Sequence, residues 1–117
     1  LTEETTNLFG QEAFIRMKPE ALLINTARGP LVDIDALAQA LETGEIAGAA
    51  LDVLPQEPPP DDCPLFGRDD VILTPHTGFY SADALLDLQT TVATDVASVL
   101  NGESPRFPVN PEVRDLK

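Results

Sequence analysis

Four polar side chains in this sequence belong to residue types that can bind a carboxylate or transfer a proton. They are Arg28, Asp52, Glu57 and His76. They follow three short apolar stretches, at residues 21–24, 49–51 and 71–74, whose length is typical of strands buried in a parallel sheet. The carboxyl ends of neighbouring parallel strands face one crevice, where ligands bind. We therefore expect the four side chains to lie together at the opening of this crevice, called the mouth below.

The four residue types together suit the reduction of a 2-oxo acid. A histidine beside a carboxylate is favoured in its cationic form and can act as a general acid near neutral pH. An arginine can hold a substrate carboxylate through two hydrogen bonds and polarise the adjacent carbonyl. A second carboxylate can accept a hydrogen bond from an amide or offset a positive charge. The hydride would have to come from a cofactor, and the sequence contains no Gly-x-Gly-x-x-Gly.

Each of these side chains also has an ordinary structural explanation. A surface ion pair would explain Arg28 and a solvated loop would explain Glu57, since charged residues are mostly exposed. A turn cap would explain Asp52, and His76 could be a turn histidine. One histidine with scattered carboxylates gives no familiar metal-ligand spacing, and the lack of a Gly-x-Ser-x-Gly elbow disfavours a serine hydrolase. The shared placement at strand ends favours the chemical interpretation.

Three strands are predicted, at residues 21–25, 47–53 and 71–74, with the first read as a buried strand. Helical patterns alternate with them, so we expect the strands to be parallel neighbours. Residues 1–6 are predicted as a loop. The segment 54–70 contains five prolines and is predicted as a long loop. A long irregular loop inside a compact domain is usually functional or disordered.

Three helices are predicted, at residues 10–18, 33–42 and 81–100. The signals that start or stop them are Pro19, Asp33, Gly44, Ser81 and Asn101-Gly102. The apolar face of the third helix is so wide that we expect it to be buried between two bodies of protein. The tail, residues 104–117, has no periodicity and is predicted to be an extended segment that needs another surface.

Composition restricts the class of protein. The 117 residues suit one domain with a modest core, and the net charge of −13 disfavours nucleic acid as a partner. No apolar run has the length of a membrane span, and nothing resembles a signal peptide, so we expect no membrane partner. The single Cys63 suits a reducing cytoplasm. Because the chain begins at Leu1 within a threonine-rich turn, we expect a fragment of a longer protein.

Four motifs, in this order, resemble the D-isomer-specific 2-hydroxyacid dehydrogenases, a family that includes D-3-phosphoglycerate, D-lactate and glyoxylate/hydroxypyruvate enzymes. The motifs are NTARGPLVD at 25–33, GAALDV at 48–53, Glu57-Pro58 and TPHT at 74–77. The resemblance implies an α/β fold, the carboxyl half of a Rossmann-type parallel sheet with flanking helices. It also implies NAD as the cofactor, with NADP left open, a small 2-oxo or 2-hydroxy acid substrate, and a cytoplasmic homodimer.

The resemblance assigns roles to single residues. By this likeness Arg28 binds the substrate, His76 is the acid/base and Glu57 is its carboxylate partner, while Asp52 contacts the nicotinamide carboxamide. The cofactor contacts would come from Leu1, Thr5, Thr26, Arg28, Asp52, His76 and Gly78, many of them through backbone atoms. No metal site is implied.

The resemblance also suggests how the chain is organised. Residues 1–100 would be the carboxyl half of the NAD-binding domain, and 101–117 a tail that belongs to the substrate domain. The segment Phe79-Tyr80-Ser81, with residues 105–111, looks most like the branch related to the C-terminal-binding-protein corepressors. Two functions therefore stay open: a fragment of an NAD-dependent oxidoreductase, inactive by itself, or an NAD(H)-sensing module that binds proteins.

Overall fold

The computed structural model describes residues 1–110 and contains a three-stranded parallel sheet. The strands are β1 (Leu22–Asn25), β2 (Gly48–Leu51) and β3 (Val71–Leu73), in the order β1-β2-β3. Both neighbouring pairs are parallel, with Ile24 opposite Ala50 and Ala50 opposite Ile72. The predicted α/β class and the parallel arrangement are confirmed, although each strand is slightly shorter than predicted.

The described helices are short except for the last one. They are α1 (Gln11–Ile15), α2 (Ile34–Thr43) and α3 (Ala82–Leu100), with 3₁₀ turns at Glu3–Thr5 and Gly29–Leu31. The prediction of a plain loop at residues 1–6 is therefore wrong in part, because threonine side chains bond within this segment and tighten it into a turn. The first helix also ends before the predicted stop at Pro19.

The ends of the longer helices follow the predicted local signals. The Asp33 carboxylate accepts hydrogen bonds from the backbone amides of Asp35 and Ala36, both at 3.1 Å, and so caps the start of α2. Gly44 ends α2 in the left-handed region, with φ 72°, where glycine avoids steric strain. Ser81 caps α3 in the same way as predicted.

One face of the sheet carries the core. Leu23, Ala49 and Leu51 pack with α1 and α2, and the largest fully buried side chains include Phe14 and Leu37. The opposite face is open, with three apolar side chains that are 65–69% exposed: Leu22, Ile24 and Ile72. The expectation that β1 is a buried strand is therefore only half right: Leu23 and Asn25 are buried, whereas Leu22 and Ile24 point away from the face that packs with α1 and α2.

An ion-pair cluster joins the start of β3 to the end of α2. Arg68 forms two 2.8 Å hydrogen bonds to Asp70, and a 3.3 Å contact to Glu42. The guanidinium lowers the pKa of the Asp70 carboxyl, and the same pairing raises the pKa of Arg68. The cluster lies at the amino end of β3, so it supports the sheet from the side opposite the predicted mouth.

The chain divides into two compact units, Leu1–Gly78 and Phe79–Lys117. The sheet, α1 and α2 belong to the first unit, and α3 belongs to the second. No residue of α3 is buried, and its exposed apolar side chains are Leu86, Leu88, Val92, Val96, Val99 and Leu100. Of the predicted extended tail, residues 111–117 lie outside the described residues. Between residues 1 and 110, no helix combines the length and the apolar character needed to cross a membrane.

Candidate active site

The turn after β1 holds Arg28 at the end of the strand. Asn25 is only 6% exposed; its side-chain amide donates to the Arg28 carbonyl (3.0 Å) and its side-chain oxygen accepts from the Ala27 amide (3.1 Å). The exposed Arg28 guanidinium donates to the Ala27 carbonyl at 2.6 Å. Within residues 1–110 the guanidinium forms no ion pair.

At Gly29, the turn that carries Arg28 packs closely against the loop after β2. A Cβ added at Gly29 would lie 2.0 Å from the Leu54 carbonyl carbon, far inside van der Waals contact. The Leu54 amide in turn donates to Glu57 Oε1 at 2.9 Å. The backbone that carries the arginine and the loop that carries the glutamate are therefore in direct contact.

Glu57 and His76, which the family resemblance pairs, form a hydrogen bond. His76 Nδ1 lies 2.7 Å from Glu57 Oε2, and both side chains are about two-fifths exposed. The hydrogen bond from His76, followed by that from Leu54, lowers the pKa of Glu57 below its usual value. Because an ionised carboxylate can only accept, Nδ1 carries the proton in this contact. The pair thus joins the loop after β2 to the turn after β3.

Asp52 is a nearly buried carboxylate, 7% exposed, that binds the same turn. Oδ1 accepts from the Thr74 hydroxyl (2.5 Å) and the Thr77 amide (2.9 Å), and Oδ2 accepts from the Gly78 amide (2.7 Å). These hydrogen bonds, with that from Thr74 the largest cause, lower the pKa of Asp52 below its usual value. The capping explanation was partly right, but the turn that Asp52 caps lies 25 residues further along the chain.

The His76 backbone adopts a left-handed conformation, with φ 54°. This region costs a residue other than glycine on the order of 1–3 kcal/mol, so the surroundings must hold it in place. The His76 amide donates to the Thr74 carbonyl at 3.0 Å, and Asp52 binds the two amides that follow. The strained backbone directs the imidazole toward Glu57.

Of the other predicted cofactor contacts, Leu1, Thr5 and Thr26 form no hydrogen bond to these four side chains in the described part of the chain, whereas Gly78 does. Leu1 is exposed, and the Thr5 hydroxyl bonds to Thr2. Thr26 is exposed at the end of β1. Gly78 is joined directly to the site, because its amide donates to Asp52. No group of three His, Cys, Asp or Glu residues within 1–110 is placed to hold a metal ion.

A pocket of about 370 Å³ opens beside the histidine–glutamate pair. Polar groups of Asp52, Glu57 and His76 line it together with the apolar side chains of Leu54, Phe66 and Leu73. A larger and more open pocket, about 540 Å³, lies near the start of α2 and lacks the histidine. Both pockets contain carboxylates, but only the smaller one of the two contains a histidine paired with a carboxylate, the combination that suits acid/base chemistry near neutral pH.

Comparison with known proteins decides the family. The model of the "D-isomer specific 2-hydroxyacid dehydrogenase, NAD binding domain" matches residues 1–78. The chain belongs to this family. A glyoxylate reductase from Thermofilum pendens is 48% identical over 117 residues, which are 100% of this chain and 34% of that protein. The glyoxylate/hydroxypyruvate reductase B of Shigella boydii is 42% identical over 98% of this chain and 36% of its own length.

Solved structures of dehydrogenases share the fold of this family member. D-lactate dehydrogenase with NAD⁺ from Lactobacillus jensenii superposes with a TM-score of 0.82 and 36% identity, covering 93% of this chain and 37% of that one. An acyclic imino acid reductase in complex with NADPH and D-Arg gives 0.81 and 34% identity, over 94% of this chain and 34% of that one. The chain thus spans about a third of the length of the proteins it matches.

The sequence analysis gave no role to three residues that support the site. They are Asn25, Gly29 and Thr74. All three lie inside the recognised motifs, and a polar residue at a buried strand end would have been a usable signal for Asn25. No spacing rule predicts that Gly29 meets Leu54 or that Thr74 meets Asp52, since both contacts join distant parts of the sequence.

Proposed function

We propose that this chain is part of an NAD(H)-dependent reductase that converts a small 2-oxo acid into a D-2-hydroxy acid. The observation that carries the proposal is the 2.7 Å hydrogen bond between Glu57 and His76, formed at the strand ends where the sheet also presents Arg28. The names of the relatives, glyoxylate and hydroxypyruvate reductases, favour substrates of two or three carbons. We propose NAD(H) as the cofactor, with NADP(H) as the alternative.

Arg28 is the proposed anchor for the substrate carboxylate. Its guanidinium now bonds to the neutral Ala27 carbonyl, and a carboxylate would form stronger, charge-assisted bonds with the same donor. A guanidinium can hold the carboxylate with two parallel hydrogen bonds and polarise the 2-oxo group beside it. The tight turn built by Asn25 limits how far the arginine backbone can move.

His76 is the proposed general acid. Nδ1–H is directed at the ionised Glu57. His76 would therefore donate to the substrate oxygen the proton carried by its other ring nitrogen, Nε2. The hydrogen bond to Glu57 keeps the ring oriented for the transfer. The reduced cofactor, when bound, supplies the hydride.

The residues of this chain fit a nicotinamide cofactor at the mouth. A carboxylate has about four lone-pair positions, and Asp52 uses three of them within the described residues. One position remains for the N–H of a carboxamide. Gly78 leaves room beside it, since a Cβ there would lie 2.9 Å from Asp52 Oδ2. The further proposed cofactor contacts come from Leu1, Thr5, Thr26, Arg28 and His76.

We also propose the domain assignment of 1–100 to the NAD-binding domain and 101–117 to the substrate domain. The uncovered sheet face and the exposed apolar side chains of α3 support a larger assembly, because apolar areas of this kind usually mark contacts with other protein. In the full-length protein the rest of the molecule and a second copy would cover them, which makes a homodimer the proposed state.

The corepressor-type module remains the second candidate. The observation that favours it is the aromatic pair Phe79-Tyr80, which resembles the branch related to C-terminal-binding proteins. The metabolic names of the relatives favour the enzyme instead.

A substrate panel separates the two candidates. Full-length protein is mixed with NADH or NADPH and with glyoxylate, hydroxypyruvate or pyruvate, and the absorbance of the reduced cofactor is followed. We expect turnover with at least one acid and formation of the D-isomer from the three-carbon acids. Tight NADH binding without turnover of any acid would reject the enzyme in favour of the module.

A further inference from the structure

Thr74 occupies a central position in the hydrogen bonds around His76. Its hydroxyl donates to Asp52 Oδ1 at 2.5 Å, its carbonyl accepts from the His76 amide at 3.0 Å, and its amide donates to the Leu51 carbonyl at 3.0 Å. One residue therefore connects the end of β2, the carboxylate that follows it, and the histidine. None of these three contacts follows from the sequence motif.

The backbone on both sides of His76 depends on these bonds. On one side, the His76 amide bonds to Thr74; on the other, the amides of Thr77 and Gly78 bond to the Asp52 carboxylate. A left-handed residue other than glycine persists only where its surroundings fix it. The orientation of the imidazole toward Glu57 thus depends on the orientation of the Asp52 carboxylate.

The Thr74 hydroxyl fixes that orientation. The terminal torsion of an aspartate is broad, so its carboxylate needs a donor that is itself held in place. The amides of Thr77 and Gly78 belong to the turn that the carboxylate has to hold, so they cannot fix its orientation independently of that turn. Thr74 can, because its own amide is bonded to the Leu51 carbonyl at the end of β2. The hydroxyl is the only side-chain donor to Asp52 among the described residues, and it shares Oδ1 with the Thr77 amide. We propose that Thr74 is a positioning residue, whose hydroxyl holds Asp52 so that the turn presents His76 to Glu57. The kinetic part of this inference rests on the proposed function, whereas the structural part does not.

A matched set of substitutions tests the role. Thr74→Val keeps the shape and removes the hydroxyl, while Thr74→Ser keeps the hydroxyl. Thr43→Val is the control, since the hydroxyl of this exposed residue bonds to backbone carbonyls at the end of its own helix, the nearer one Gln39. Amide hydrogen exchange of the peptide that contains Thr77 and Gly78 is measured by mass spectrometry in the full-length protein. We expect exchange roughly tenfold faster or more in Thr74→Val, with wild-type exchange in Thr74→Ser and Thr43→Val.

Steady-state kinetics of the full-length protein supply the second measurement. We expect the kcat value of Thr74→Val to fall roughly 10- to 100-fold, as for the loss of one hydrogen bond to a charged group, with the KM for the 2-oxo acid nearly unchanged. Thr74→Ser should restore kcat. If Thr74→Val does not fold, Thr74→Ala removes the same hydroxyl without adding apolar bulk, and the same loss is expected.

The outcomes separate the two proposals. Wild-type exchange and wild-type kcat in Thr74→Val would overturn the positioning role, and so would a loss of kcat that serine does not restore. If wild-type full-length protein reduces no 2-oxo acid, the proposed function fails, and the exchange rates of Thr77 and Gly78 still decide whether Thr74 holds the turn.

Discussion

Gly29→Ala should damage the candidate active site without touching any of its polar groups. The added Cβ would lie 2.0 Å from the Leu54 carbonyl carbon and 2.1 Å from its oxygen, both backbone atoms that cannot turn aside. To restore an ordinary contact of 3.4 Å, the Arg28 turn and the loop after β2 must separate by about 1.4 Å. Glu57 belongs to that loop, through the bond that its carboxylate accepts from Leu54.

The size of the effect follows from this shift. Displacing Glu57 by about 1.4 Å would break a 2.7 Å hydrogen bond to His76, and a misplacement of about 1 Å can cost roughly 10²-fold in rate. We therefore expect the kcat/KM value for the full-length protein to fall roughly 100-fold. Overpacking should also lower the free energy of unfolding of the isolated chain by about 1–3 kcal/mol, measured by urea denaturation.

Gly10→Ala is the matched control. Gly10 has φ −98°, which alanine adopts readily, and an added Cβ would meet only the Asn7 carbonyl oxygen, at 3.4 Å. We expect its kcat/KM to stay at the wild-type value and its free energy of unfolding to fall by no more than about 1 kcal/mol, since alanine is a poorer N-cap than glycine. If Gly29→Ala behaves like Gly10→Ala in both assays, the close contact with Leu54 does not position Glu57, and the reasoning is refuted.

Four other predictions concern the same chain. His76→Gln should slow the reduction of every 2-oxo acid, with kcat lower by roughly 10²–10⁴-fold, and a wild-type rate would remove His76 from the mechanism. Arg28→Lys keeps the charge but loses the planar two-pronged donor, so stopped-flow and steady-state assays should show weaker substrate binding together with a slower chemical step; an unchanged KM and kcat would contradict this. Because the folded-state pKa values of Glu57 and Asp52 lie below the ordinary 4.5 and 3.8, the unfolded state binds more protons in acid, and urea midpoints should fall as the pH drops below about 5. A urea midpoint that is flat between about pH 6 and pH 3 would exclude this contribution. The exposed apolar side chains of α3 should make the isolated chain associate in light scattering, and a monodisperse monomer with an ordered tail would argue against it.

The sequence determined the local features because each depends on a few neighbouring residues. Asp33 and Ser81 cap helices through amides two or three residues away, and Gly44 ends a helix through its own conformational freedom. The three strand positions followed from short apolar runs, and the parallel order followed from the alternation of strands with helices. Residue types and strand ends predicted a histidine beside a carboxylate, and the family resemblance selected Glu57 rather than Asp52 as the partner of His76.

Only the tertiary structure decided how the site is held together. Asp52 binds a turn 25 residues away, Gly29 meets the backbone of Leu54, and His76 takes a left-handed conformation because both sides of it are bonded. Spacing along the chain does not predict such contacts, since they depend on where separate elements pack and on which atoms then face each other. Tertiary packing also decided which face of the sheet is exposed. Apolar residues show that a strand can be buried, but the helices that pack on it determine which face is covered.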